Sequence, residues 1–222
     1  MPERPPAHTF FFADLAGYTA LTEAMGDSDA ADLAHQFYLA TSELVAEHGA
    51  EQIKMIGDAV LVRADDAASA VRLALGLVHD VGGQHLFPTV RVGMDTGSAV
   101  ARAGDWFGST VNIAARVSGE AAGGEVLLTD ATRKAAGTVP DVHFHERGKR
   151  AVRNVREPVI LHAAVREGAQ TNESLPIDPV CRMAVDPEKS PGRLVYEGVQ
   201  LHFCSLECVQ KFLAGPEDYT AA

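Results

Sequence analysis

The sequence predicts an α+β fold: a mainly antiparallel sheet with helices packed on it, followed by a small cysteine-bearing unit. Three observations carry this. Strand-like apolar runs and amphipathic helical segments succeed one another from residue 8 to 165, in the order β-α-α-β-β-α-β-β-α-β with further strands at the end. Residues 166–177, REGAQTNESLPI, are polar and aperiodic and read as a linker. All cysteines, Cys181, Cys204 and Cys208, lie beyond that linker. The expected division is 1–165, a linker over 166–177, and a second unit over 178–222.

HTFFFADLAG is an apolar run ending in a carboxylate and a glycine, hence a strand feeding a loop. From Asp27 to His48, Ala30, Leu33, Ala34, Phe37, Tyr38, Leu44 and Val45 recur at helical spacing, with Asp27 or Ser28 as N-cap and Gly49 as stop. EQIKMI and AVLVRA flank Gly57-Asp58, a pair favoured at the tip of a two-residue hairpin. DAASAVRLALGLVHD (66–80) predicts a helix, TVRVGMDTGSAVARAG two strands turning at Gly97, STVNIAARVSGEA a helix and EVLLTD a short strand. Val142–Val165 supplies further strands, interrupted by basic residues and Pro158.

Of the 222 residues, 46% are apolar and 22% charged, with no apolar stretch near the roughly 20 residues that cross a bilayer. The opening MPERPPAHTFFF lacks the apolar core of a secretory signal. A cytoplasmic protein with no membrane partner is expected. A net charge of −11 argues against nucleic-acid binding, which depends on cations neutralising phosphates. Against that background RGKRAVRNVR (147–156) carries five basic residues and no acidic one. It is either a solvated strand face or a strip facing phosphates, and composition does not choose.

Asp14 and Asp58 end strands beside glycine or small residues. Carboxylates so placed suit Mg²⁺, which takes one or two of them plus substrate phosphates; the competing reading is that Asp58 serves only its turn. Asn112 and Arg116 stand four apart, on one helix face bordered by Val111, Ile113, Ala115 and Val117. That placement predicts a partly buried amide and guanidinium. The competing reading is a structural arginine paired with a carboxylate.

FFADLAGYTAL, IKMIGDAVLV, RVGMDTGSAVARAGDWFGSTVNIAARV and REPVILHAA, in that order, resemble the class III nucleotide cyclase catalytic domain along nearly all of residues 8–165. The resemblance implies a ferredoxin-like arrangement and a set of roles. Asp14 and Asp58 would hold two Mg²⁺ or Mn²⁺ ions, and the backbone from Leu15 through Ala16, Gly17 and Tyr18 to Thr19 would cradle phosphates. Lys54 and Asp105 would select the base. A lysine and an aspartate complement the N1 acceptor and N6 donor of adenine and mismatch guanine, so ATP is the implied substrate. Asn112 would orient the ribose, and Arg116 would meet charge building on the α-phosphate. The phosphate-contacting lysine of the family is replaced by Arg153, followed by Asn154, which tilts the cationic strip toward phosphate. Family sites are shared between two protomers, which implies a homodimer.

Three thiolates at the spacing of Cys181, Cys204 and Cys208 can converge on Zn²⁺ or Cu⁺; the alternative is that they pack as small hydrophobes. DPVCRM, YEG, FCSLEC and FLAGPEDY resemble a YHS domain over residues 176–219, with Leu201 where an aromatic is usual. Met183 and His202 are the candidate fourth ligands. The expectation is an adenylate cyclase with a metal-binding, regulatory tail. The alternatives are a guanylate cyclase, disfavoured by Lys54 and Asp105, and a metal or redox sensor with a silent cyclase-like domain, disfavoured by the complete residue set.

Overall fold

A computed structural model describes residues 6–84, 87–152, 155, 157–168, 176–181, 183 and 185–220. Its main body is a seven-stranded sheet. The strands are β1 (Ala7–Leu15), β2 (Glu51–Ile56), β3 (Ala59–Ala64), β4 (Val90–Ser98), β7 (Val126–Thr129), β8 (Val142–Arg150) and β9 (Val159–Arg166), in the order β2-β3-β1-β4-β7-β9-β8. Among the described residues only the β4–β7 pairing is parallel, as the sequence pattern predicts for a mainly antiparallel sheet.

Alternation along β1 divides the core. Phe11, Ala13 and Leu15 join Val60 and Val62 of β3 beneath α2 (Asp27–Glu47), α3 (Ala67–Gly76) and α5 (Asp130–Ala136). Phe10 faces the other way, packing with Leu61 and with Val111 and Ala114 of α4 (Ser109–Glu120). The backbone of α4 lies directly on β4. A Cβ added at Gly93 would sit 1.8 Å from the Ser118 amide nitrogen, so only glycine lets the helix seat there.

Three local features depart from the sequence reading. β4 runs unbroken through Gly97, which pairs with His8 of β1, and the chain turns back only later. It does so as a separate ribbon of β5 (Val100–Arg102) and β6 (Asp105–Phe107). The helix α5 was not foreseen; the Thr129 hydroxyl caps it by accepting from the Thr132 amide at 3.3 Å. The short helix α1 (Tyr18–Met25) precedes α2, as the expected β-α-α order has it, but the N-cap position of α2 is Gly26 rather than Asp27 or Ser28.

The second unit contains a hairpin, β10 (Gly192–Tyr196) with β11 (Val199–Phe203), and the helices α6 (Leu206–Ala214) and α7 (Glu217–Thr220). Its Val180, Cys181, Met183, Phe203, Cys208 and Phe212 share one apolar cluster with Leu21 of α1 and Ala30 of α2. Met183 also forms an isolated antiparallel bridge with Pro88. Among the described residues no helix is long and apolar enough to cross a membrane.

Candidate active site

The hairpin joining β2 to β3 turns on Gly57 (φ +62°) and Asp58, with Ile56 opposite Ala59. A left-handed first residue followed by one that is not left-handed matches a type II′ turn, which glycine allows and which suits the twist of the flanking strands. The turn puts Asp58 beside the end of β1. Burial raises the carboxyl of Asp58 above its ordinary range, and the nearby Asp14 charge raises it further, while the backbone amides of Asp58 and Leu15 pull it down. Two carboxylates crowded in this way are a poor arrangement on their own and a good one for a cation.

Asp14 is also gripped from the sheet. Arg91, opposite it in the β1–β4 register, donates from Nε to Oδ1 at 2.5 Å and from Nη2 to Oδ2 at 3.0 Å. Arg91 carried no signal in the sequence, because the pairing spans 77 positions and becomes visible only with the register.

Leu15 closes β1 as a buried residue, and the Ala16 amide donates to the Thr89 carbonyl at 2.8 Å. Gly17 occupies the N-cap of α1, which begins at Tyr18, and Thr19 is exposed in its first turn. The expected phosphate loop is therefore a strand end running into a helix N-terminus, an arrangement that presents backbone N–H groups to an anion.

Lys54 of β2 reaches the start of β6, where its Nζ donates to Asp105 Oδ2 at 2.5 Å. Asp105 Oδ1 accepts from the Trp106 amide at 2.8 Å. The Lys54 hydrogen bond, followed by the Trp106 amide, holds the Asp105 carboxyl below its usual range. The two residues taken from separate motifs are thus brought together as one pair.

On α4, Asn112 and Arg116 are both exposed rather than partly buried. Their helix is fixed from beneath by Gly93 and by the Thr110 hydroxyl, which donates to the Ser98 carbonyl at 2.9 Å. Among the described residues Arg116 has no hydrogen-bond or ion-pair partner, so the reading as a structural arginine finds no carboxylate to pair with it. Arg153 and Asn154 lie outside the described residues.

The family described as the adenylate and guanylate cyclase catalytic domain matches residues 2–164. The chain belongs to this family. A YHS domain matches residues 177–222 behind the cyclase domain. A pH-sensitive adenylate cyclase of Mycobacterium tuberculosis is 40% identical over 164 residues, which is 72% of this chain and 41% of that protein. An adenylate cyclase of Streptomyces coelicolor is 40% identical over 120 residues, 54% of this chain and 32% of that protein. The chain thus spans well under half the length of either relative. Among solved structures, the adenylyl cyclase CyaB of P. aeruginosa superposes with a TM-score of 0.63 at 22% identity, covering 74% of this chain and 96% of that one. An adenylate cyclase of Trypanosoma brucei gives 0.67 at 22% identity, over 76% and 92%. At that identity they establish a shared fold with the cyclase domain.

In the YHS unit the three thiols converge. Cys181 Sγ lies 3.4 Å from Cys204 Sγ, which lies 3.8 Å from Cys208 Sγ. Hydrogen bonds from the Cys181 and Cys204 sulfurs hold the Cys208 thiol far below its ordinary range, while the same contacts and burial push Cys181 up. A carboxylate joins the thiols, which the sequence reading did not include: one ligand atom from each of Asp178, Cys181, Cys204 and Cys208 falls within 4.8 Å of all the others, a group that His202 does not join. Asp178 is fully buried; Oδ1 accepts from Val180 N at 2.8 Å and Oδ2 from Cys204 N at 2.8 Å, which binds the two cysteine segments together. Met183 lines the cleft beside the thiols, and His202 sits on β11 outside the cluster. The sequence signal for Asp178 was its place three residues before Cys181 in DPVC, where a short carboxylate turns back onto the following amides.

Proposed function

We propose that the chain is an adenylate cyclase that converts ATP to 3′,5′-cyclic AMP and pyrophosphate, at sites completed by a second copy. The observation that carries this is the Lys54–Asp105 pair, a fixed donor beside a fixed acceptor at 2.5 Å. An ammonium offers a hydrogen bond to N1 of adenine and a carboxylate accepts one from N6. Guanine presents the reverse pattern and leaves both groups mismatched.

Asp14 and Asp58 are the residues to hold Mg²⁺ or Mn²⁺, and the raised Asp58 carboxyl beside Asp14 is the feature that fits a divalent cation. When bound, such ions supply acidification of the ribose 3′-hydroxyl and neutralisation of the triphosphate. Arg91 neutralises Asp14 in this chain. The N-terminus of α1 supports the triphosphate through backbone N–H groups. Asn112 orients the ribose, and Arg116 stabilises charge developing on the α-phosphate. Arg153 takes the remaining phosphate contact.

Two features support a shared site. Asn112 and Arg116 are exposed and without side-chain partners among the described residues, and the hairpins carrying Asp58 and Asp105 expose Ile56 (51%) and Phe107 (54%). Large apolar side chains beside polar site residues suit burial against a second copy. In the tail, Asp178 and the three cysteines form a closed, sulfur-rich set suited to Zn²⁺ or Cu⁺. Incubation of purified protein with ATP or GTP and Mg²⁺ or Mn²⁺, followed by chromatographic separation of products, tests the reading. Cyclic AMP from ATP is expected, and cyclic GMP as the main product, or no cyclic nucleotide with either ion, contradicts it.

A further inference from the structure

The phosphate loop and the cysteine cluster are joined by two independent routes. The first runs through α6. Cys208 lies in its first turn, and its amide donates to the capping Ser205 hydroxyl at 3.1 Å. One turn further on, Lys211 donates from Nζ to the carbonyls of Glu23 at 3.0 Å and Ala24 at 2.6 Å. These belong to the last turn of α1, which has no basic residue of its own. A cation at a helix C-terminus satisfies carbonyls that lack intrahelical partners and opposes the negative end of the dipole. Lys211 thus satisfies the C-terminal carbonyls of a helix in the other unit. The first residues of that helix, Tyr18 and Thr19, belong to the expected phosphate loop.

The second route runs through the segment after Cys181. Met183 pairs with Pro88, and the neighbouring Thr89 carbonyl holds the Ala16 amide at 2.8 Å. One route therefore ends on Ala16 and the other on the helix that starts at Tyr18, on either side of Gly17. Leu21, fully buried, fills the space between the units.

We propose that the YHS unit is a built-in regulator: ligation of its Asp178–Cys181–Cys204–Cys208 cluster fixes α6 and the Met183 segment and, through Lys211 and Pro88, stiffens α1 and the phosphate loop. The regulatory consequence rests on the reading of residues 15–19 as that loop, whereas the coupling itself does not.

The two are separated by an experiment without nucleotide. Hydrogen exchange of the α1 amides is followed in the full-length protein with and without Zn²⁺, while native mass spectrometry counts bound zinc. One zinc per chain and several-fold slower exchange across residues 18–25 are expected. In Lys211→Met, zinc binds with the same stoichiometry but the α1 protection is lost, and Lys211→Arg, which keeps two donors, restores it. Cys204→Ser loses both binding and protection. Unchanged α1 exchange in zinc-loaded wild-type protein, protection that survives Lys211→Met, or no zinc bound to the wild type overturns the proposal. Cyclase assays on the same samples then report the reading of the loop separately. Zinc-dependent protection without a change in turnover leaves the coupling standing and overturns the regulatory role.

Discussion

Arg91 and Asp14 face each other across the β1–β4 register, and the guanidinium grips both carboxylate oxygens, at 2.5 and 3.0 Å. The same arginine lowers the carboxyl of Asp58, against the burial and the Asp14 charge that raise it. Arg91 therefore favours the ionised form of Asp58, as the smallest of these influences. Replacing it with methionine removes the opposing charge, so Asp58 holds its proton to higher pH. The acid limb of the kcat/KM profile should move to higher pH. An unmoved limb in Arg91→Met would show that Arg91 has no such role.

Gly93 seats α4 on the sheet. In Gly93→Ala the new methyl meets the Ser118 amide nitrogen at 1.8 Å and the Val117 carbonyl carbon at 2.4 Å, both backbone atoms of a helix that cannot yield locally. Overpacking of this kind costs about 1–3 kcal/mol or more. Because the displaced helix carries Asn112 and Arg116, activity should fall further than urea-denaturation midpoints alone explain.

Arg116 is exposed and without a partner among the described residues, so Arg116→Ala should leave stability within about 0.5 kcal/mol of wild type. Loss of a transition-state donor should still lower turnover about 10²- to 10³-fold. Denaturation and initial-rate measurements on one preparation test both halves, and retained turnover removes Arg116 from the reaction.

Asp95 is a buried carboxylate in β4, 6% exposed, whose oxygen accepts from the Thr129 hydroxyl at 2.6 Å. Burial raises its pKa from 3.8 to about 6, partly offset by the Thr129 and Thr96 hydrogen bonds. Between those values the folded chain holds more protons than the unfolded one. Stability therefore falls as pH rises through this window, by at most about 3 kcal/mol. Asp95→Asn keeps an acceptor for Thr129 and has no charge to bury. Urea titrations at pH 4.5 and 7.5 should show it losing less stability across the interval than wild type.

The hairpin at 53–62 was legible because a Gly-Asp pair between apolar runs has few other structures to adopt, and α4 because its amphipathic period is long. The short helix α5 and the β5–β6 ribbon were not, since neither segment is long enough to display a period and both depend on tertiary seating. In the site, Lys54 and Asp105 were named from separate motifs, and the fold supplied their contact. Arg91 and Asp178 escaped notice because each acts through a partner distant in sequence, a register neighbour in one case and the Cys204 amide in the other. The docking of the YHS unit on α1 was equally hidden: Lys211 reaches a carbonyl 188 positions away, and no local pattern announces such a contact.

In the proposed homodimer Lys54 and Asp58, near neighbours on one hairpin, serve two different nucleotides. Complementation tests it most directly. Asp58→Ala and Lys54→Ala proteins should each be nearly inactive with ATP. After mixing and exchange of protomers, half the dimers are mixed and each has one intact site, so activity should return to about a quarter of wild type. Activity that stays at the level of the separate variants, once protomer exchange has been verified, would contradict the shared site.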